Sequence, residues 1–276
     1  MYQVRIAPFP KMILHSTVHG SSPQKETLLL IHGMGSSASS AWRSILPSLM
    51  DRFTVVTLDL PGHGKSPIDK DQPMDPESLG DAVIRTMHHL KFEKFHSVGN
   101  SLGGWISLEM AAKYPERISS VTSLAPAGLW VTPFKTRYPD AAISQMLASS
   151  LRTVSPLLMR YEWARKIGFE NVSPKWREFS YELCLDATTA MASSTGYYPA
   201  WEALLTKRFD KKIQPSIPVT IIFGDSDRTL PAETCQTRSL VPPHAKWMTL
   251  SECGHAPMWD HPDDVLELIS ITTGVL

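Results

Sequence analysis

The chain has 276 residues, 42% hydrophobic and 20% charged, enough for one large α/β domain that carries an insertion. Lys+Arg and Asp+Glu balance at 27 each, so no net field draws in nucleic acid or an anionic membrane surface. Cys184, Cys235 and Cys253 form an odd, widely spaced set. That argues against a disulfide framework and a zinc site, and the expected location is the reducing cytoplasm. The opening "MYQVRIAPFPKMILHSTVHG" is broken by Pro8 and Pro10 and has no long apolar run. It resembles neither a signal peptide nor a membrane span.

In chain order, "TLLLIHG" (27–33) is a short apolar run stopped by Gly33, as expected of a strand buried on both faces. "AWRSILPSLM" (41–50) has helical spacing, with Pro47 marking a bend or an early end. "FTVVTLDL" (53–60) is β-branched and ends at the turn signal "PGHG". "PESLGDAVIRTMHHL" (76–90) reads as an amphipathic helix with Pro76 in its first turn. Then come "FHSVG" (95–99) as strand, "SLGGWISLEMAAKYP" (101–115) as helix and "ISSVTSLAP" (118–126) as strand. Near the other end, "IPVTIIFG" (217–224), "PAETCQTRSL" (231–240), "AKWMTLS" (245–251) and "PDDVLELISI" (262–271) repeat the strand–helix rhythm. Such alternation predicts a mostly parallel central sheet with helices on both faces.

Between 127 and 209 the rhythm breaks. "PDAAISQMLASSL", "SPLLMRYEWARKIGF", "PKWREFSYELCLDATTAMASS" and "PAWEALLTK" are helix-like, with Pro and Ser-Thr-Gly junctions between them. The expected organisation is a core of residues 1–126 and 210–276 with a helical cap, 127–209, inserted in it. Trp130, Trp163, Trp176 and Trp201 fall in this stretch. Any one of them is better explained by packing the cap onto the body; together they point to an apolar cavity beneath a lid.

"VGNSLGGW" carries the chemistry. Gly99-Asn100-Ser101-Leu102-Gly103 fits G-x-S-x-G between a predicted strand and a predicted helix, the context of a nucleophile elbow. A serine presented on so tight a turn needs glycines two before and two after, where neighbouring segments approach. The serine also needs a base. Of ten histidines, His255 in "SECGHAPMWDHP" follows the last strand, at the same sheet end as Ser101. His15, His19, His88 and His89 read as surface or packing residues, His63 as a turn residue and His32 as a structural hydrogen-bonder. The base needs an orienting carboxylate, and "GDSDRTLP" offers Asp225 and Asp227. Asp227 lies far enough into the loop to reach His255, whereas Asp225 suits local backbone amides. Finally, a tetrahedral intermediate needs preorganised donors. The backbone N–H groups of Met34, in the loop "HGMG", and of Leu102 are the candidates, with Gly33 and Gly35 permitting the loop geometry. Gly33, Gly35, Asn100 and Trp130 are the candidate pocket residues, and no metal or cofactor is required.

These pieces together resemble the α/β-hydrolase fold enzymes. The order Ser101, Asp227, His255 is that family's order. "HGMG" resembles its oxyanion loop, "DLPGHGKS" its turn after the next strand and "GNSLGG" its elbow. "GDSDRTLP" is similar to its acid loop and "GHAPMWDHP" to its histidine loop, and the insertion sits where the family places a cap. The resemblance covers about 25–126 and 215–272. It implies a serine hydrolase that cleaves a small or medium carboxylic ester through an acyl-enzyme. Branches that open epoxides or remove halides carry Asp where Ser101 stands, which argues against both. A carbon–carbon bond hydrolase of ring-cleavage diketones is the alternative. That branch commonly has a tryptophan after the histidine, where this chain has Ala256, and a cap arginine, for which Arg137, Arg152, Arg160, Arg165 and Arg177 are available. A ligand-binding receptor on the same fold is the alternative of another class, since fold alone does not fix function. The expected partner is a small-molecule ester; the sequence leaves oligomeric state open.

Overall fold

Seven short runs of the chain pair into one sheet in the computed structural model, which describes residues 12–132, 146, 149–150 and 154–275. The strands are β1 (Ser16–His19), β2 (Thr27–Ile31), β3 (Thr54–Leu58), β4 (Phe95–Asn100), β5 (Ile118–Leu124), β6 (Val219–Gly224) and β7 (Lys246–Leu250). Their order is β1-β3-β2-β4-β5-β6-β7. Every pairing is parallel except β1 with β3, where Ser16 faces Leu58 and His19 faces Val55. β2 and β4 therefore lie inside the sheet, and the chain leaves both at the same edge.

Period two explains how one apolar run builds two layers. From β2, Leu29 and Ile31 join a core cluster on one face with Val56, Leu58, Trp105 and Ile106. Leu28 and Leu30 join the other, with Trp42, Phe53, Val55 and Ile269. All four β2 side chains are fully buried, each worth about 1.5–3 kcal/mol of transfer free energy. The first face is covered by α3 (Pro76–His89) and α4 (Leu102–Lys113). The second is covered by α1 (Ala38–Trp42), α2 (Leu46–Arg52) and the helix Pro262–Thr273. Asp75 caps α3 by accepting from the Ser78 amide, with Pro76 at the first position.

Three local expectations change. The helical stretch 41–50 is two helices, because Pro47 sits in the first turn of α2, where its missing N–H is harmless. "PAETCQTRSL" gives only Ala232–Cys235 and a 3₁₀ turn at Arg238–Leu240. β1 has no counterpart in the sequence reading; as a half-exposed edge strand it lacks the apolar run that marks a buried one.

Between β5 and β6 the described elements are the helices Ser155–Leu158, Glu162–Phe169, Tyr181–Ser193 and Tyr197–Leu204, with a 3₁₀ turn at Trp176–Glu178. The helix expected over "PDAAISQMLASSL" lies largely outside the described residues. Met159, Ala164, Phe169, Trp176, Phe179 and Cys184 form a small core of their own. Trp259 joins that core to the body. It packs edge-on against Phe179, with ring centroids 5.8 Å apart, and its Nε1–H donates to the Ala41 carbonyl. Ala127, Leu129 and Trp130, at the start of the inserted stretch, belong to the main core instead. Among the described residues no helix is long and apolar enough to cross a membrane.

Candidate active site

β4 ends at Asn100 and α4 begins at Leu102, so Ser101 alone makes the turn. Its backbone sits at φ 54°, ψ −114°, a conformation that costs a non-glycine residue roughly 1–3 kcal/mol. Three hydrogen bonds hold it there. Ser101 N–H donates to the Leu124 carbonyl, and the Ser101 carbonyl accepts from Ala127 and Trp105. The flanking glycines are steric necessities. A Cβ at Gly99 would lie 2.1 Å from the Gly103 carbonyl oxygen, and one at Gly103 would lie 2.1 Å from that of Ile31.

His255 lies in the loop after β7. Its Nδ1 is 2.9 Å from Asp227 Oδ2. An ionised carboxylate only accepts, so Nδ1 carries the proton and Nε2 keeps its lone pair. The Asp227 side chain is fully buried, and its other oxygen accepts from the backbone N–H groups of Thr229 and Leu230. Sequence reasoning gave the job of satisfying turn amides to Asp225. The structure gives both jobs to Asp227, and Asp225 is exposed, with its carboxylate accepting from the neighbouring Ser226 hydroxyl.

The histidine loop is braced from three directions. Asn100 Nδ2 donates to the His255 carbonyl at 3.0 Å and to that of Leu124 at 3.2 Å. His255 N–H donates to the Val172 carbonyl at 2.7 Å. The carboxylate of Asp260, also buried, accepts from the Gly254 amide and from the Ser173 hydroxyl; desolvation raises its pKa above the usual carboxylate value. A Cβ at Gly254 would fall 2.1 Å from the Val172 carbonyl oxygen. Asp260 escaped the sequence reading because an acid six residues from Gly254 has no motif. Only the fold brings them together.

The loop after β2 is held from behind by His32, whose Nδ1–H donates to the Gly33 carbonyl while Nε2 accepts from the Leu60 amide. This is the structural role expected for His32. Gly33 and Gly35 both have close neighbours. A Cβ at Gly33 would meet Ser101 Cβ at 3.1 Å, and one at Gly35, where φ is 73°, would meet Met191 Sδ at 2.7 Å. His63 packs its ring on that of His32. Desolvation by complete burial, with the neighbouring His32 adding to it, takes the His63 pKa down to about 3.

Ser101, His255, Gly33, Met34, Gly35 and Asn100 line a single cavity of about 420 Å³, within the range of small-ligand sites. The remaining wall is mostly apolar, with Met159, Phe169, Met191, Met258 and Trp259 prominent, and Trp163 and Ile167 at its exposed rim. Leu102 is buried at the start of α4, behind Ser101. Trp130, expected in the pocket, is not there. It lies edge-on against Trp105 at 5.2 Å in the main core, and its Nε1–H donates to the Lys207 carbonyl. The bulky indole is used to fasten the two chain segments that leave and re-enter the sheet. Trp176 and Trp201 are core residues as well; of the four tryptophans in the inserted stretch, Trp163 alone lines the cavity. Met159, Met191 and Tyr197 were invisible as site residues, because helical spacing shows which side chains are apolar but not which cavity they reach. Among the described residues no group of three His, Cys, Asp or Glu side chains is placed to hold a metal ion.

A mainly parallel sheet flanked by helices, with a strained serine after a central strand and a histidine from the last strand's loop sharing one cavity, defines an α/β fold. A family model described as the alpha/beta hydrolase fold matches residues 26–262, and the chain belongs to that family. It is similar to a pimeloyl-(acyl-carrier protein) methyl ester esterase of Aeromonas hydrophila, with 25% identity over 91% of this chain and 96% of the relative. It is similar also to a 2-hydroxy-6-oxo-6-phenylhexa-2,4-dienoate hydrolase of Burkholderia cepacia, with 27% identity over 87% and 85% of the two chains. Among solved structures, the enol-lactonase of Burkholderia xenovorans superposes with a TM-score of 0.72 at 19% identity, covering 95% of this chain and 96% of that one.

Proposed function

We propose that the protein is a serine hydrolase of carboxylic esters, with Ser101 as nucleophile, His255 as base and Asp227 as the group that orients His255. The observation that carries this reading is Asp227 bonded to His255 Nδ1 while His255 shares one apolar cavity with the strained Ser101. With Nδ1–H held by the carboxylate, Nε2 accepts the Ser101 proton as Oγ attacks the ester carbonyl carbon. The tetrahedral oxyanion is received by the amides of Met34 and Leu102. Among the described residues neither amide donates to another acceptor, as a preorganised oxyanion site requires. His255 then returns the proton to the departing alcohol, and water repeats the sequence on the acyl-enzyme. The helices between β5 and β6 serve as the cap, and their apolar wall suits a neutral acyl or alcohol group. The three cysteines are free and buried, which fits a cytoplasmic enzyme.

Hydrolysis of a ring-cleavage diketone is the second reading, favoured by the relative of that name. Such a substrate carries a carboxylate. Of the candidate arginines, Arg137 and Arg152 lie outside the described residues. Arg165 is bonded to the Phe179 carbonyl, Arg177 pairs with Glu162, and none of the described arginines lines the cavity. The described wall, mostly apolar, suits an uncharged ester group, and on that ground the ester reading leads. A series of p-nitrophenyl esters of rising chain length, run beside a ring-cleavage diketone, tests it. Multiple turnovers on the esters are expected. Preferential cleavage of the diketone would move the protein to the second reading, and stoichiometric release followed by silence would make it a receptor.

A further inference from the structure

Tyr197 is the first residue of the helix Tyr197–Leu204, and two contacts fix its place. The Gly196 amide donates to the Gly62 carbonyl at 2.9 Å, and a Cβ at Gly196 would lie 2.2 Å from the Pro61 carbonyl oxygen. The helix start is thus seated directly on the loop after β3. From there the Tyr197 ring lies against the loop after β2, where a Cβ on Gly35 would come within 3.0 Å of Cδ2. The ring lines the same cavity as Ser101, His255 and Met34. The side chain is 1% exposed, and its hydroxyl has no hydrogen-bond partner among the described residues.

A buried hydroxyl without a partner is unusual, because it forfeits its water hydrogen bonds and gains none. A phenylalanine of the same shape would fill the place without that loss. Such a group is explained when its partner arrives from outside. The cavity wall here is mostly apolar, so a hydroxyl carried by one of its lining residues faces little competition for a polar atom of the ligand. Burial raises the phenol's pKa, so the group remains a donor at working pH.

We propose that the Tyr197 hydroxyl donates a hydrogen bond to an oxygen of the bound ester group, making Tyr197 a substrate-contacting residue contributed by the inserted helices. The proposal rests on the ester reading and adds a third donor to the two backbone amides. The bond is made only with substrate in place, so the free protein carries the unpaired hydroxyl as a small local destabilisation.

The test is Tyr197→Phe, which keeps the ring and its seat against Gly35. Two readouts are taken, kcat/KM across the p-nitrophenyl ester series and the urea midpoint of the free protein. The expected result is a fall in kcat/KM of about tenfold, the worth of one hydrogen bond of average strength, equal for short and long acyl chains because the ester group is common to all. The urea midpoint should be unchanged or higher. Unchanged kcat/KM, or a loss confined to one chain length, would overturn the proposal, since the ring's shape would then explain the residue. A lowered midpoint would also overturn it, by showing that the hydroxyl has a partner in the free protein. Absence of ester turnover in the wild type strikes instead at the ester reading beneath it, and the midpoint still reports separately on the hydroxyl.

Discussion

The sheet edge and the helices above it are built to different tolerances. Around Ser101 the backbone segments touch: a methyl group at Gly99, Gly103 or Gly224 would sit 2.0–2.1 Å from a carbonyl oxygen. In the inserted helices Gly168 has nothing within 4 Å of its added Cβ, and Leu157, Trp163 and Ile167 are more than half exposed. The lower layer allows one arrangement of backbone, which suits groups that must be held within fractions of an ångström for chemistry. The upper layer is pinned to the body by backbone at two seats, Gly196 on the Pro61 carbonyl and Val172 on Gly254; elsewhere it is set by side-chain packing, which tolerates changes in size.

The comparison can be broken most forcefully at Ser101, the proposed nucleophile. Ser101→Ala is expected to lower kcat on a p-nitrophenyl ester by about 10⁴–10⁶, with the fold intact by circular dichroism. Asp227→Asn is expected next, near 10⁴, because the amide can favour the wrong histidine tautomer. Asp225→Asn should stay near wild type, and the reverse ranking would reassign the orienting acid. Gly103→Ala should cost about 3 kcal/mol or more in urea unfolding, because its methyl meets backbone that cannot yield. The same change at Gly168, in an exposed helix, should stabilise by about 0.5–1 kcal/mol. Equal effects at the two positions would erase the distinction between the layers.

A smaller effect concerns His63, the buried neighbour of the β2 loop. Its folded pKa of about 3 lies below the unfolded value near 6.5, so the unfolded chain binds the extra proton between those limits. The stability this neutral imidazole contributes is complete above about pH 6.5 and is lost as pH falls toward 3. At pH 5 the loss should be about 2 kcal/mol relative to pH 7. His63→Gln should flatten that part of the profile in urea unfolding measured at both pH values. An undiminished slope would place the acid sensitivity elsewhere.

The same division explains what could be read from residue order. Strands β2 to β6 and the elbow were legible because buried runs, flanking glycines and a serine at fixed spacing are local consequences of local constraints; β7, largely exposed at the sheet edge, was legible from its place in the strand–helix alternation. Asp227 was legible as a choice between two acids, although its double role was not: nothing in "GDSDRTLP" says that one carboxylate serves both His255 and two turn amides. Asp260, Val172 and Tyr197 act through contacts spanning between 6 and 162 positions, at Gly254, His255 and Gly35 respectively, and no short pattern encodes those. Trp130 was misplaced for a related reason. A tryptophan in a helix-rich stretch carries the same apolar signal whether it lines a cavity or, as here, seals the core beneath it.

The central claim is that Ser101 is the activated nucleophile of an ester-cleaving site. Incubation with an alkyl fluorophosphonate, followed by peptide mass mapping, addresses it directly. The account predicts one adduct per chain on Ser101, loss of ester turnover in step with labelling, and no labelling of Ser101→Ala. An adduct on another residue, or labelling that persists in Ser101→Ala, would contradict it.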